Sequence, residues 1–560
     1  MWSFGDDEMT SARTQNRHRP KLTQDPLAAA GLQQYALRGM HLNGWAFGYP
    51  YTFRSWKEAD WKQYADYLAA QGVNLFFIWP FMEIMPVPLS AADRAYLEEV
   101  RRVVDYAQRR HGMEVWIMQS ANRVAVNDCG VRNPRRRPYW VLKAQGDYPE
   151  ACQVERNPAD PKQFAQIMKS RETLYRSINN ADGFCTIDSD PGGWPRSPLG
   201  DFMKIFKASR TLLDRLCVKE DQTKLIYWLW SGWGQQDWWE RNWNPQDMNM
   251  FMRKTIRAMK KEVPNPWWLI AGRREYLPAC AAEGVLEKTV YLPYNTIEAE
   301  PSRPGTQIDF KLQREYLDEA ARYPGLAGLM GNVQTPLLQF PHVGFFLDTA
   351  MDYDSRKRSP RKALRDLAAD VYPDHQELLA NCWMALSPAG RADAGKLARQ
   401  LKRLLDQDRL GRCGRLGKML FPDRRQIALD LVWQLKERAA FKALRRAVGQ
   451  RAPRARCARL LEAFLAAALE WDGQHGWSAY WRKLGTAWTL WPIYDPAYPF
   501  IVRGLVRLLG GARAGEKTVA AFLAPIERRL VRRYDPWTVA RCGIEPIREA
   551  IQGAVQVKQG

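Results

Sequence analysis

The stretch that decides the fold is "DGFCTIDSDPGGW", residues 182–194. An apolar run, Phe184 to Ile187, ends in Asp188 and Asp190, and the chain then meets a Pro-Gly-Gly turn sequence. A short apolar run bounded by turn residues is typical of a buried strand. Residues at i and i+2 of a strand share a face. We therefore expect Asp188 and Asp190 to point the same way at the end of a strand.

Similar apolar runs recur along the first two thirds of the chain. In order, the runs are 35–45, 72–81, 113–122, 183–190, 224–234, 266–272, 288–300 and 326–335. Amphipathic segments such as 55–72 and 93–112 lie between them, and each ends in a glycine that suits a helix C-terminus. This alternation predicts an α/β fold, a TIM (β/α)8 barrel. A doubly wound open sheet is the alternative, weakened because no glycine-rich phosphate loop follows the first strand.

The pattern divides the chain into three predicted parts. Residues 1–30 are polar and predict an N-terminal arm. Residues 31–350 hold the predicted (β/α)8 barrel. From 351 to 560 the strand-like runs stop, and leucine, alanine and arginine recur at helical spacing, which predicts an α-helical C-terminal domain.

Composition limits the classes of partner. The formal net charge is +22 with a pI of about 9.6, which permits nucleic acid, anionic membrane or an acidic glycan as a partner. No zinc-finger spacing or RNP-type strand is present, and no apolar run approaches the roughly 18 residues of a membrane span. We therefore predict neither a nucleic-acid nor a membrane partner. The sequence does not predict an oligomeric state.

Cysteine and histidine usage argues against a metal or a cofactor. The nine cysteines form no CxxC pair, and the six histidines show no metal-ligand spacing, so we predict no cofactor and no metal site. The N-terminus lacks the apolar core of a signal peptide. A cytoplasmic location is the default expectation, with a secreted or periplasmic one open if a signal was removed.

The predicted strand ends collect acids, amides and aromatic side chains. In a barrel of this kind, functional groups come from the carboxyl ends of the strands. Besides Asp188 and Asp190, the candidates are His41, Asn43, Trp45, Trp79, Glu83, Asn122, Arg123, Trp230, Trp233, Tyr294, Glu298, Glu300, Asn332 and Gln334. Tryptophan stacks on sugar rings, and amides and acids bind hydroxyl groups. The mixture predicts a carbohydrate ligand.

Paired carboxylates supply the acid and the base or nucleophile that cleavage of a glycosidic bond requires. Asp188, Asp190 and Glu298 are therefore the catalytic candidates, and the other strand-end residues are predicted to bind substrate. The basic charge also suits an acidic sugar, whose carboxylate Arg123 would pair with. The structural alternatives are a turn-capping role for the two aspartates and a hydrogen-bonded core role for His41.

Four motifs carry a resemblance to known proteins: "RGMHLNGW" (38–45), "LAAQGVNLFFIWPF" (68–81), "YAQRRHGMEVWI" (106–117) and "DGFCTIDSDPGG" (182–193). They resemble a group of glycoside hydrolase barrels that includes the family 20 and 84 hexosaminidases, the family 163 endo-N-acetylglucosaminidases and the family 67 and 115 α-glucuronidases. The resemblance covers roughly 35–390. It implies hydrolysis of an oligo- or polysaccharide, on an acidic or an N-acetylated sugar.

The resemblance implies two assignments of roles. In the hexosaminidases two adjacent acids end strand four, so Asp188 would orient the acetamido group and Asp190 would be the acid. Here Ser189 separates the two acids. In many other barrel hydrolases the acid lies on strand four and the nucleophile on strand seven, which gives Asp190 and Glu298. A non-catalytic carbohydrate-binding barrel and a polysaccharide lyase are the alternative functions.

Overall fold

The architecture is taken from a computed structural model. It describes residues 35–42, 56–125, 153–189, 192–219, 222–235, 245–293, 309–333, 336–351, 359–388, 390–420, 425–483, 487–493, 495–513 and 515–556.

Eight parallel strands close into a barrel in which they follow one another in chain order and the last pairs with the first. The barrel strands are β1 (Leu37–Leu42), β2 (Leu75–Ile78), β3 (Glu114–Ser120), β6 (Gly183–Ile187), β7 (Lys224–Leu229), β8 (Trp267–Ala271), β9 (Thr289–Tyr291) and β10 (Gly328–Val333). Each lies within one of the eight runs that predicted it. The predicted barrel is confirmed, and closure excludes the doubly wound open sheet.

Two further strands, β4 (Arg123–Ala125) and β5 (Gln153–Glu155), form a separate antiparallel ribbon. The ribbon follows β3 directly, so it lies beside the carboxyl end of that strand. Each strand is only three residues long, which is too short for a sequence pattern to predict the ribbon.

Helices alternate with the barrel strands. They are α1 (Glu58–Ala70), α2 (Ala91–His111), α3 (Pro161–Ser177), α4 (Leu199–Leu216), α5 (Pro245–Glu262), α6 (Leu277–Ala282), α7 (Phe310–Ala320) and α8 (Pro336–Met351). The ends of α2 show how the sequence sets a boundary. The hydroxyl oxygen of Ser90 accepts the backbone N–H of Asp93, and Gly112 ends the helix at a φ of 62°.

Alternate residues of each strand fill the barrel interior. At its amino end, Lys224 of β7 pairs with Glu114 of β3, although these strands are not neighbours in the sheet. The Lys224 ammonium also lies 4.4 Å from the centre of the Trp268 ring. These charged groups satisfy each other inside the barrel, so they need no ligand at that end.

The chain after the barrel is helical. Its α-helices are α9 (Pro360–Ala369), α10 (Gln376–Leu386), α11 (Ala394–Asp406), α12 (Arg415–Leu420), α13 (Gln426–Gly449), α14 (Arg454–His475), α15 (Trp477–Lys483), α16 (Ala497–Leu508), α17 (Glu516–Leu530) and α18 (Glu545–Gln556). A π-helical turn, Thr538–Ile544, precedes α18. This arrangement confirms a helical region after the barrel. Within the described ranges, none of the helices has the length and apolar character that a membrane crossing requires.

Candidate active site

The predicted site residues fall into two sets. Seven of them lie outside the described residues: Asn43, Trp45, Asp190, Tyr294, Glu298, Glu300 and Gln334. The other nine are His41, Trp79, Glu83, Asn122, Arg123, Asp188, Trp230, Trp233 and Asn332. These nine show how the carboxyl end of the barrel is built.

Three aromatic rings meet across the barrel interior near its carboxyl end. His41 of β1 lies 4.5 Å from Phe77 of β2 and 5.1 Å from Trp228 of β7, between ring centres. Since β1 and β7 are not neighbours in the sheet, the rings of His41 and Trp228 can meet only through the interior. We call His41, Phe77, Trp228 and Asn332, which pairs with His41 in the strand register, the interior layer.

The histidine of this layer is neutral. Its Nδ1 lies 2.9 Å from Oδ1 of Asn332, and both side chains are fully buried. Burial lowers the pKa of His41 to about 3, although the bond to Asn332 opposes this. Among the described residues, Nε2 of His41 and Nδ2 of Asn332 have no hydrogen-bond partner. The layer therefore presents unused polar atoms inside the barrel.

Asp188 points away from the interior. Its neighbour on the same strand face, Thr186, accepts a hydrogen bond from Arg171 of α3. Asp188 itself accepts the hydroxyl of Tyr227, whose ring packs 4.7 Å from Phe202 of α4. Asp188 thus lies between the sheet and the helix layer, rather than in a cavity of the barrel interior as its strand-end position had suggested.

The Asp188 carboxylate fastens the end of β7 to the end of β6. It accepts five hydrogen bonds: from the Tyr227 and Ser189 hydroxyls and from the backbone N–H groups of Trp230, Ser231 and Gly232, at 2.8–3.2 Å. Burial raises the pKa of Asp188, and these hydrogen bonds oppose the rise. Since both oxygens are occupied, the geometry suits a turn-capping and positioning role.

Asn122 fastens the segment on the other side of Asp190. Its amide bonds both the N–H and the carbonyl oxygen of Gly193, each at 2.7 Å. Gly192 has a φ of 105°, and a Cβ there would lie 2.3 Å from the Ser120 hydroxyl oxygen. The Asn122 amide is buried and engaged with the backbone, so its geometry suits a positioning role, and the sugar contact stays a prediction.

Glu83 is a buried acid beside the end of β3. It accepts the backbone N–H of Ser120, and its Oε2 accepts the indole N–H of Trp79 at 3.1 Å. Burial raises the pKa of Glu83, while those bonds and the charge of Arg171 oppose the rise. Trp79 stacks on Phe81 with ring centres 4.0 Å apart. Glu83, Trp79 and Phe81 therefore form one packed unit beside the end of β3.

Arg171 is an important residue that the sequence analysis missed. Its guanidinium, fully buried, donates to Tyr175, Thr186 and the carbonyl oxygens of Ser120 and Ala121, at 2.9–3.2 Å. It therefore joins α3 to β3 and β6. A signal was present, because Arg171 shares a helix face with the apolar residues Ile167 and Leu174, where a charge is costly unless it is partnered.

The two predicted tryptophan platforms differ. Trp233 is fully buried, 5.6 Å from the Phe202 ring of α4, and belongs to the core between sheet and helices. Trp230 directly follows β7, at the carboxyl end of the barrel, and the Arg273 guanidinium lies 4.5 Å from the centre of its ring. Trp230 is also almost fully buried, so neither ring presents an open face for stacking.

Arg123, predicted to pair with a substrate carboxylate, forms an ion pair with Glu155 across the β4-β5 ribbon at 3.1 Å. Both side chains are partly exposed. The pair ties the ribbon together, and the ribbon in turn holds Arg156, whose carbonyl oxygen accepts from Asn122.

Comparisons with known proteins return similar folds. No protein-family model matches the sequence, and no curated protein matches it. Among solved structures, the chain is similar to an O-GlcNAc hydrolase mutant of Thermobaculum terrenum, at 9% identity and a TM-score of 0.42, over 89% of this chain and 98% of that one. A GH138 enzyme targeting pectin rhamnogalacturonan II is 12% identical, with a TM-score of 0.47, over 89% and 85%.

A GH115 4-O-methyl-α-glucuronidase with specificity for decorated arabinogalactans is 9% identical, with a TM-score of 0.44, over 79% of this chain and 59% of that one. These names fall in the group of glycoside hydrolases that the sequence resembles, and they do not single out one family. At such identities and TM-scores the comparisons carry no argument about activity. The proposed function therefore rests on the site.

Proposed function

We propose that the protein is a glycoside hydrolase that cleaves a glycosidic bond in an oligo- or polysaccharide. Asp190 is the general acid and Glu298 the second carboxylate. The substrate enters at the carboxyl end of the barrel, where the interior layer lies beneath it.

The observation that carries the proposal is the anchoring of the chain on both sides of Asp190. Asp188 is held by five hydrogen bonds, and Gly193 is held by the Asn122 amide. A catalytic group must be carried on a segment whose neighbours fix its position. The sequence places one carboxylate, Asp190, between these two anchors.

The position of Asp188 favours one of the two assignments of roles. Because its oxygens are occupied on the helix side of the sheet, Asp188 does not suit the task of orienting a substrate acetamido group. The remaining assignment takes the acid from the end of β6, the fourth barrel strand, and the nucleophile or base from the segment after β9, the seventh. Glu298 follows β9 by seven residues.

The experiment is a turnover assay on a panel of aryl glycosides, comparing the natural protein with Asp190→Asn and Glu298→Gln. Loss of either carboxylate should lower kcat by about 10²–10⁴, the usual contribution of general acid–base catalysis. Glu287→Gln is the matched control, because this exposed glutamate lies just before β9, at the opposite end of the barrel. It should leave kcat unchanged.

Three results would reject the proposal in different ways. Glycan binding without release of any product, unaffected by Asp190→Asn, would indicate a binding barrel. Products that absorb in the ultraviolet through a new double bond would indicate a lyase. Hydrolysis at the natural rate in both carboxylate variants would show that other groups perform the chemistry.

A further inference from the structure

The basic charge of the protein is concentrated after the barrel. Residues 351–560 hold 39 lysines and arginines against 21 acidic residues, a formal charge of +18, whereas residues 1–350 hold 44 against 40, a charge of +4. Within the helical region, residues 438–461 contain eight basic residues and no acidic one. Solubility alone requires no such concentration of one sign, so the distribution indicates a surface for an anionic partner.

Four exposed arginines from three helices lie around the second half of α13. They are Arg399 of α11, Arg445 and Arg446 of α13, and Arg503 of α16. We call these four the arginine surface. Within the described part of the chain, none of the four forms an ion pair with an acidic side chain. Arg438, also on α13, is by contrast buried and paired with Asp495, so its charge is satisfied inside the protein.

Close contacts hold the three helices side by side at this place. A Cβ on Gly395 would lie 3.5 Å from Nη1 of Arg399 and 3.6 Å from Cβ of Ala439, so the Arg399 guanidinium lies against α13. The Arg445 guanidinium lies 5.8 Å from the centre of the Phe500 ring of α16. The three helices therefore bring their arginines to one surface.

An acidic side chain at the start of α11, Asp393, lies within electrostatic reach of two of these arginines. It caps the helix, since its Oδ1 accepts the backbone N–H of Lys396 at 3.0 Å. Backbone hydrogen bonds, and after them the charges of Arg399 and Arg446, lower the pKa of Asp393. Both arginines are therefore near the same carboxylate, which offsets one of the four positive charges at most.

The remaining cations lie close enough to repel one another. Lys442, half-buried on α13, donates to two backbone carbonyl oxygens. Burial, and then the charges of Arg438, Arg445 and Arg446, lower the pKa of Lys442 to about 8, although Asp495 opposes this. An anion bound at the arginine surface would relieve the repulsion.

The chemistry of the surface selects among anionic partners. Guanidinium groups bind carboxylate oxygens in a bidentate manner. Single-stranded nucleic acid is bound largely by stacking of bases on aromatic side chains, and insertion into a membrane surface requires exposed apolar ones. Among the described residues, the exposed large apolar side chains are Val218 and Met250, and both precede the helical region. The arginine surface therefore suits a carboxylated polymer.

We propose that the arginine surface binds an acidic polysaccharide through its carboxylates. The inference rests on the proposed function for the identity of the polymer as a glycan. It gives the acidic sugar that the net charge suggested a location on the helical region. The predicted contact in the barrel, Arg123, forms an ion pair with Glu155, and the barrel part of the chain carries little net charge.

The first test titrates two acidic glycans, polygalacturonate and hyaluronate, into the full-length protein by calorimetry. Polygalacturonate methyl ester is the matched control ligand, because it has the same backbone without the charge. At least one acidic glycan should bind about tenfold or more tighter than the ester, with an affinity that falls as salt is added. Equal affinity for the acid and its ester, or binding of neither acidic glycan, would overturn the inference.

The second test links binding to the arginine surface. The test variant combines Arg399→Gln, Arg446→Gln and Arg503→Gln, and should weaken binding of the acidic glycan by at least about tenfold. The control removes the same charge at exposed arginines of the helical region that pair with acids, by combining Arg361→Gln, Arg533→Gln and Arg541→Gln. It should change the affinity by less than about threefold. Equal weakening would show that net charge alone attracts the glycan and would overturn the inference.

Three further measurements separate the alternatives. Duplex DNA and phosphatidylglycerol vesicles are titrated in parallel, and tighter binding of either through the same arginines would overturn the choice of a glycan. Turnover of small aryl glycosides should have the same kcat in the test variant, and a fall would assign these arginines to the active site and overturn the inference. Binding of an acidic glycan by a protein that hydrolyses no glycoside would refute the proposed function alone. Should the test variant not fold, Arg446→Gln against Arg361→Gln serves for the same comparison.

Discussion

Asn122 and Gly193 are joined by two reciprocal hydrogen bonds, each 2.7 Å long. The backbone N–H of Gly193 donates to Oδ1 of Asn122, and Nδ2 of Asn122 donates to the Gly193 carbonyl oxygen. The same Nδ2 also donates to the Arg156 carbonyl oxygen at 2.8 Å. One side chain at the end of β3 therefore holds both the segment after the candidate acid and the ribbon strand β5.

We predict that Asn122→Ala lowers both stability and activity. The change leaves one N–H and two carbonyl groups without their partner in a buried place, and each such loss costs about 1–3 kcal/mol. We expect a decrease of roughly 3 kcal/mol in the free energy of unfolding, measured by urea titration. We also expect kcat to fall at least about tenfold on the best glycoside, because a displaced general acid loses its alignment.

Asn180→Ala is the control for this prediction. Asn180 is also buried and donates to the Arg101 carbonyl oxygen at 3.0 Å and to Asp105 at 2.9 Å, both on α2. It lies just before β6, at the opposite end of the barrel. Its loss should cost stability and leave kcat per folded molecule unchanged. Equal effects on kcat in the two variants would contradict a positioning role for Asn122.

Gly192→Ala should be more damaging than a glycine replacement at a helix end. Gly192 and Gly112 both have positive φ, at 105° and 62°, so alanine is strained at each by roughly 1–2 kcal/mol. Only at Gly192 does the new Cβ collide, 2.3 Å from the Ser120 hydroxyl oxygen and 2.9 Å from Oδ1 of Asn122. We expect Gly192→Ala to lose about 1–3 kcal/mol more than Gly112→Ala in urea unfolding, because the site is overpacked. Equal losses would mean that the contact relaxes freely.

Arg171→Met should destabilise the fold far more than Arg176→Met, five residues further along α3. Arg171 is buried and bonded to four acceptors, whereas Arg176 is exposed and pairs with Glu172 on the helix surface. Each buried acceptor that loses its hydrogen bond costs about 1–3 kcal/mol, and an exposed ion pair contributes about 0–1 kcal/mol. Thermal unfolding of both variants measures the difference. Similar melting temperatures would show that methionine fills the Arg171 site without loss.

The strands could be predicted because each is a short apolar run between turn signals, and alternation with helices admits few folds. The direction in which individual side chains point could not be predicted. All five residues of β6 are buried, since parallel strands are covered on both faces. Periodicity thus showed that Asp188 shares a face with Thr186, and could not show that this face meets α3 and α4 rather than the barrel interior.

The same reason explains Trp233, which lies among helix residues, and Trp228, which lies inside the barrel. Arg123 and Asn122 illustrate a second limit. Each has an internal partner, Glu155 or Gly193, that is more than 30 residues away in the sequence. No local pattern reveals such pairs, so both residues were predicted to be strand-end groups that bind substrate.

His41 makes the stability of the protein dependent on pH between about 5 and 7. Burial lowers its pKa in the folded state to about 3, while the ordinary value is 6.5. As the pH falls through 6.5, the unfolded chain takes up the proton and the folded one does not, so stability present above pH 6.5 is lost. One such histidine removes about 2 kcal/mol of the free energy of unfolding between pH 7 and pH 5.

His41→Phe keeps a ring against Phe77 and Trp228 and cannot titrate. We expect it to be less stable than the natural protein at pH 7, because Asn332 loses its partner, and to lose about 2 kcal/mol less on acidification to pH 5. Urea unfolding at pH 5, 6 and 7 gives the two slopes, and the other histidines cancel in the comparison. Parallel slopes would mean that His41 takes up its proton in the folded state. The neutral state of the interior layer would then be wrong.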